Sequence, residues 1–212
     1  MDIAGILFDM DGVLVDSEPV ITEAAIRALR QYGVEAKEVD FKPFTGMGEV
    51  RFIGGVAEKY GKPFVPEMKT LTYEIYGQIV DEHLKVYAGT LDALRALSGY
   101  RLALASSADL VKVRHNLRVA HIPFATFAAI VTAEDVARKK PDPAIFLTAA
   151  EKLGLPASRC LAIDDAISGV QAGKAAGCYT VGVTTSFPAE TLLEAGADCV
   201  IAEIGELPAL LH

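Results

Sequence analysis

The chain has 212 residues, 51% hydrophobic and 23% charged, with a net charge of −8 and no run of lysine or arginine. That composition suits a globular protein with one substantial core, as one domain or a domain with an insertion, and it excludes nucleic-acid binding as the main role. No apolar stretch is long enough to span a bilayer and no basic-then-apolar leader is read, so the expectation is a cytoplasmic protein, or one whose targeting peptide has been removed.

Residues 3–8 form an almost unbroken apolar run, the pattern of a strand buried on both faces of a parallel sheet. The run ends in Asp9-Met10-Asp11-Gly12, two carboxylates on one side of an extended chain followed by a residue that permits a sharp turn. Ligands of open α/β sheets bind beyond the carboxyl ends of the strands. The pair therefore reads as a nucleophile or metal ligand beside a proton-transfer group, or as a strand end with a turn-forming Asp-Gly. From residue 17 to 85 the texture is helical, with helices predicted over 23–31, 50–60 and 66–83 and no strand pattern. Hinges are expected near Asp16-Ser17 and between Tyr87 and Thr90.

From about Val86 onward, short apolar runs alternate with amphipathic stretches. Strands are predicted over 102–105, 128–131, 161–163, 180–183 and 199–201, and helices over 109–119, 143–153, 167–176 and 188–194. This alternation predicts an α/β fold built on a doubly wound parallel sheet. The expected organisation is a core of residues 1–16 and 87–212, with a helical cap, 17–86, inserted after the first strand. Cys160, Cys178 and Cys199 read as core residues, since their contexts are apolar and no CxxC occurs. His83, His115, His121 and His212 show no metal-ligand spacing. Gly169, Gly173 and Gly177 recur at helical spacing, which lets a helix lie close to the sheet.

Other strand ends supply more polar groups. The strand at 102–105 runs into Ser106-Ser107, and the one at 161–163 into Asp164-Asp165. Between them lies Lys139-Lys140-Pro141-Asp142-Pro143, with Pro143 suited to a first helical turn. Each piece has a plain alternative: turn or capping serines, a solvated lysine loop, and an aspartate helix cap. Together they favour chemistry, because so many carboxylates near one point are costly to bury without a divalent cation.

The ordered set Asp9-Met10-Asp11-Gly12-Val13, Ser106, Lys140-Pro141-Asp142-Pro143 and Asp164-Asp165 resembles the haloacid dehalogenase superfamily, over essentially the whole chain. Asp16-Ser17-Glu18-Pro19 and the stretch from Ser168 to Gly173 are similar to its branch of phosphoglycolate phosphatases and β-phosphoglucomutases. Phe44 to Glu49 and Ala105 to Asp109 resemble the phosphatase-type domain of a plant thylakoid protein.

The resemblance implies a Mg²⁺-dependent phosphatase acting on a small phosphorylated metabolite. Asp9 would attack phosphorus, Asp11 would serve as acid and base, Ser106 would bind a phosphoryl oxygen and Lys140 would balance charge. Mg²⁺ would lie between Asp9, the Asp11 backbone carbonyl and Asp165, with Asp164 close by. Ser107, Glu18, Thr45, Gly46, Met47, Glu49 and Arg51 are the candidate substrate contacts, and the expected state is a monomer or weak homodimer.

Three departures bear on the reading. Ala166 stands where relatives often carry serine. Ile21 falls where the mutases have a cap histidine. Glu49 falls near their cap arginine, with Arg51 close. The rival readings are a sugar-phosphate mutase, a phospho-acceptor signalling domain and a catalytically idle interaction module.

Overall fold

The computed structural model describes residues 2–211; His212 lies outside them. In chain order the regular elements are β1 (Gly5–Phe8), β2 (Val15–Asp16), α1 (Glu18–Arg30), α2 (Glu49–Lys59), α3 (Pro66–His83), β3 (Lys85–Val86), α4 (Thr90–Ala96) and β4 (Arg101–Ala105). They continue with α5 (Leu110–Val119), β5 (Ala129–Val131), α6 (Ala144–Lys152), β6 (Cys160–Asp164), α7 (Ile167–Ala176), β7 (Tyr179–Val183), α8 (Ala189–Glu194), β8 (Cys199–Ile201) and α9 (Leu207–Leu210).

Among the described residues, six strands form one parallel sheet in the order β5-β4-β1-β6-β7-β8. Placing β1 at the centre explains its composition. Ile6, Leu7 and Phe8 are all fully buried, because helices cover both faces of the sheet. Their alternation sorts them between two cores: Ile6 and Phe8 pack with Leu94, Leu97, Val113 and Leu117, while Leu7 packs with Ile145, Phe146, Ala149 and Ala172. Burial of each such side chain is worth about 1.5–3 kcal/mol.

The register matters for the site. Phe8 lies opposite both Leu104 and Ile163, so the residues that follow these three strands emerge at one edge of the sheet. The switch in strand order on either side of β1 opens a crevice at that edge.

The helices between β2 and β3 have a core of their own, with Ile21, Leu29, Phe41, Ile53, Val56, Tyr76 and Val80 among its buried members. α1 starts at Glu18, earlier than the predicted 23, because Pro19 fits a first helical turn and an acidic side chain suits a helix N-terminus. Three small features escape the sequence reading. Val15 pairs with Val86 and Asp16 with Lys85 in a two-residue antiparallel ribbon, and neither α4 nor α9 has a predicted counterpart. The three cysteines are free, Cys160 and Cys178 buried and Cys199 half-buried.

The glycine series serves two purposes. A Cβ on Gly169 would lie 1.9 Å from the Asp164 carboxyl carbon, and one on Gly173 would lie 3.0 Å from Ala162 Cβ, so α7 sits directly against β6 and β7. Gly177, in contrast, is the left-handed C-cap of α7 at φ 82°.

Candidate active site

The turn after β1 puts its acids in place. The Met10 carbonyl accepts from the amides of Val13, Leu14 and Val15, and Gly12 adopts φ 82°. Only glycine fits there, since a Cβ would fall 1.9 Å from Asp165 Oδ2. Thr185 Oγ1 donates to the Gly12 carbonyl at 2.5 Å and fixes the turn from the loop after β7.

Lys140, from the loop before α6, is the centre of the floor. Its Nζ lies 2.5 Å from Asp9 Oδ1, 2.7 Å from Asp164 Oδ2 and 3.2 Å from the Ala105 carbonyl. Lys139 has a different task, donating to the Ala133 and Val136 carbonyls and tying down its own loop. Oxygens of Asp9, Asp164 and Asp165 all lie within 4.8 Å of one another, and all three residues are buried. Burial pushes the Asp9 carboxyl upward, the negative charges of Asp164 and Asp11 add to this, and Lys140 opposes it. Asp165 is also raised, by burial and then by Asp164 and Asp9. Three crowded carboxylates against one ammonium leave an excess of negative charge that suits a hard divalent cation with oxygen ligands, so the donor set fits Mg²⁺.

Asp11 faces another way. Its Oδ2 lies 2.8 Å from Lys112 Nζ, while Oδ1 accepts from Asn116 Nδ2 at 3.2 Å and from the Ser17 hydroxyl. Its carboxylate is therefore separate from the three-aspartate cluster. Lys112, on α5, also lies 3.5 Å from Glu49 Oε1 at the start of α2, so one buried ion pair joins these two helices while the half-buried pair with Asp11 ties α5 to the turn after β1. Burial alone would lower the Lys112 ammonium, and Asp11 and Glu49 reverse this and hold it above the usual lysine range. Glu49 is pushed up by its own burial, with Lys112 opposing.

A cleft opens above these groups. Of the sequence candidates, Asp9, Asp11, Glu18, Thr45, Gly46, Glu49, Ser107, Lys140, Asp164 and Asp165 line it. Ser106 sits just beneath, fully buried, its Oγ accepting from the Ala108 amide at 3.1 Å. Met47 and Arg51 are outside the lining: Met47 is exposed, and Arg51 stacks over Phe44 and pairs with Glu58 at 3.5 Å.

A sequence model of the haloacid dehalogenase-like hydrolases matches residues 3–177. The chain belongs to that family.

Within the family, the chain is 40% identical over 214 residues to the chloroplastic suppressor of quenching 1 protein of Arabidopsis thaliana, covering 97% of this chain and 20% of that protein. This chain thus spans about a fifth of the plant protein. It is 33% identical to the phosphorylated carbohydrates phosphatase of Thermotoga maritima, covering 92% of this chain and 93% of the relative. Among solved structures, CbbY from Rhodobacter sphaeroides in complex with phosphate superposes with a TM-score of 0.81 at 25% identity, covering 97% and 96% of the two chains.

Four residues around the cleft lie beyond the sequence reading. Lys112, Asn116 and Ser17 hold Asp11, and Ser186 donates to Asp165 Oδ2. Ser186 brings a hydroxyl to the three-aspartate cluster from the loop after β7, where Ala166 has none to give. The signal for Lys112 and Asn116 is their i, i+4 spacing beside Val113 and Leu117, which makes them a polar pair on the buried stripe of α5. Among the described residues, no helix is long and apolar enough to cross a membrane.

Proposed function

We propose that this chain is a Mg²⁺-dependent phosphatase that hydrolyses a small phosphorylated metabolite through a phosphoryl intermediate on Asp9. The observation that carries the reading is Lys140, buried and bound to both Asp9 and Asp164 at the base of a cleft. The name of the Thermotoga relative, which specifies phosphorylated carbohydrates, supports the substrate class.

Asp9 attacks phosphorus, forming the carboxylate–phosphorus bond as the bond to the leaving oxygen breaks. Asp11 gives that oxygen a proton, then takes one from a water molecule, which attacks the aspartyl phosphate and releases phosphate and the free Asp9. Lys112, Asn116 and the Ser17 hydroxyl keep the Asp11 carboxylate turned away from the three-aspartate cluster. Lys140 balances charge on the nucleophile and the transferring group, and the Ser106 hydroxyl, oriented by the Ala108 amide, donates to a phosphoryl oxygen. Asp9, Asp164, Asp165 and the Asp11 carbonyl would hold Mg²⁺, which supplies electrostatic stabilisation of the charge on the phosphoryl oxygens. Cap residues Glu18, Thr45, Gly46 and Glu49 contact the leaving group.

Free phosphate released from a panel of sugar phosphates is the test, with Asp9→Asn expected to lower turnover by at least about 10,000-fold in a folded protein. Isomerised product without phosphate release would overturn the reading in favour of a mutase. Ile21 weighs against that outcome, since it lines the cleft with a side chain that cannot transfer a proton.

A further inference from the structure

The cleft has an uneven distribution of charge. Above the three-aspartate floor, its walls carry Asp16, Glu18 and Glu49. Among the described residues, the lining cations are Lys112 and Lys140, and both are engaged. Lys140 is held between Asp9 and Asp164, and Lys112 between Asp11 at 2.8 Å and Glu49 at 3.5 Å. The rest of the cap-side wall is apolar or neutral, with Ile21, Phe44, Phe52 and Thr45. Arg51 does not compensate, because its guanidinium stacks over Phe44 and pairs with Glu58.

A phosphoryl group on the floor meets Lys140, but whatever hangs from it projects toward fixed negative charge. Hydroxyl groups suit such a wall. Glu18 accepts one hydrogen bond from Thr45 Oγ1 at 2.9 Å through Oε1, and its Oε2 is a further acceptor. A sugar hydroxyl can donate to it, whereas a second carboxylate or phosphate can only face it as a like charge.

Resting on the phosphatase reading above, we propose that the cleft selects phosphomonoesters with uncharged, hydroxyl-bearing leaving groups. Polyol and sugar monophosphates are substrates, and phosphorylated acids, bisphosphates and pyrophosphate are rejected. Glu18 sets this preference.

The test uses matched esters of similar size and opposite leaving-group charge: glucose 6-phosphate against 6-phosphogluconate, and glycerol 3-phosphate against 3-phosphoglycerate. With Mg²⁺ present, kcat/KM for the uncharged member of each pair is expected to exceed that of its partner by at least about tenfold. In Glu18→Gln the ratio shrinks for both pairs. Equal kcat/KM for the two members of each pair in the wild type, or a preference for the acids, overturns the proposal. The same esters titrated calorimetrically into Asp9→Asn protein read the preference as a ratio of dissociation constants. If the wild type hydrolyses none of the esters, the phosphatase reading fails, and the calorimetric ratio still decides the charge preference in either direction.

Discussion

Lys112 Nζ lies 2.8 Å from Asp11 Oδ2, with the lysine side chain only 4% exposed. A buried ammonium held by Asp11 after β1 and by Glu49 of α2 leaves two uncompensated charges if it is removed. Lys112→Met is therefore expected to destabilise the fold by about 3–5 kcal/mol. It also frees Asp11, so kcat should fall by roughly 100-fold while KM changes little. Steady-state kinetics and denaturant unfolding check both halves, and unchanged kcat would rule out a positioning role. In the Lys112→Met/Glu49→Gln double variant the two losses should be less than additive, since removing the glutamate charge relieves what the lysine leaves behind.

Gly169 predicts a loss of activity out of proportion to the loss of stability. An added Cβ would sit 1.9 Å from the Asp164 carboxyl carbon. Gly169→Ala should thus displace Asp164 from Lys140, cost about 1–3 kcal/mol and lower kcat by at least roughly 100-fold. Gly99, where an added Cβ would meet nothing within 4 Å, is the matched control, and Gly99→Ala should keep full activity. Equal effects of the two substitutions would contradict the close approach of α7 to the site.

Metal binding can be read without turnover. Mg²⁺ added to chelator-treated protein at about 100 times its dissociation constant should raise the thermal midpoint by about 5–10 °C. Asp165→Asn removes one donor of the buried cluster and should shrink that shift. An undiminished shift in the variant would place the ion elsewhere.

Acid should loosen the helices between β2 and β3 through Asp40. Its carboxylate accepts from Lys59 Nζ at 2.5 Å, from the Lys37 amide at 2.9 Å and from the Tyr60 hydroxyl at 2.7 Å. The Lys59 contact, then the Lys37 amide and Tyr60, hold its carboxyl below the usual range. A pKa depressed in the folded state stabilises above the unfolded value, about 3.9, and that contribution disappears as pH falls toward the folded value. The gap in thermal midpoint between wild type and Asp40→Asn should be wide at pH 7 and pH 5 and narrow below about pH 4. A gap constant down to pH 2.5 would refute the linkage.

Local patterns made part of this structure readable. The unbroken apolar run of β1 marks a central strand, and Asp9 and Ser106 follow, and Asp164 ends, three strands that turn out to be adjacent in register. Lys112 was not readable in the same way, because one lysine in an amphipathic helix looks solvated until the packing of α3 and α2 encloses it. Ser186 depends on a loop that returns across the sheet edge, a contact without a sequence period. Arg51 shows the opposite failure: its position beside Glu49 pointed into the cleft, but the turn of α2 sends it outward onto Phe44. The ribbon of β2 and β3 is too short for any alternation to register.

That ribbon has a consequence for how the chain can be rebuilt. Val15 faces Val86, so the polypeptide leaves and re-enters the sheet-bearing portion at a single doorway. Joining the two strands there by a tight turn would excise the three long helices while every parallel pairing of the six-stranded sheet kept its register. An unrelated insert with neighbouring ends could be grafted at the same place. The sheet and the helices inserted at the ribbon can therefore be exchanged independently, with the junction confined to two residues on each side.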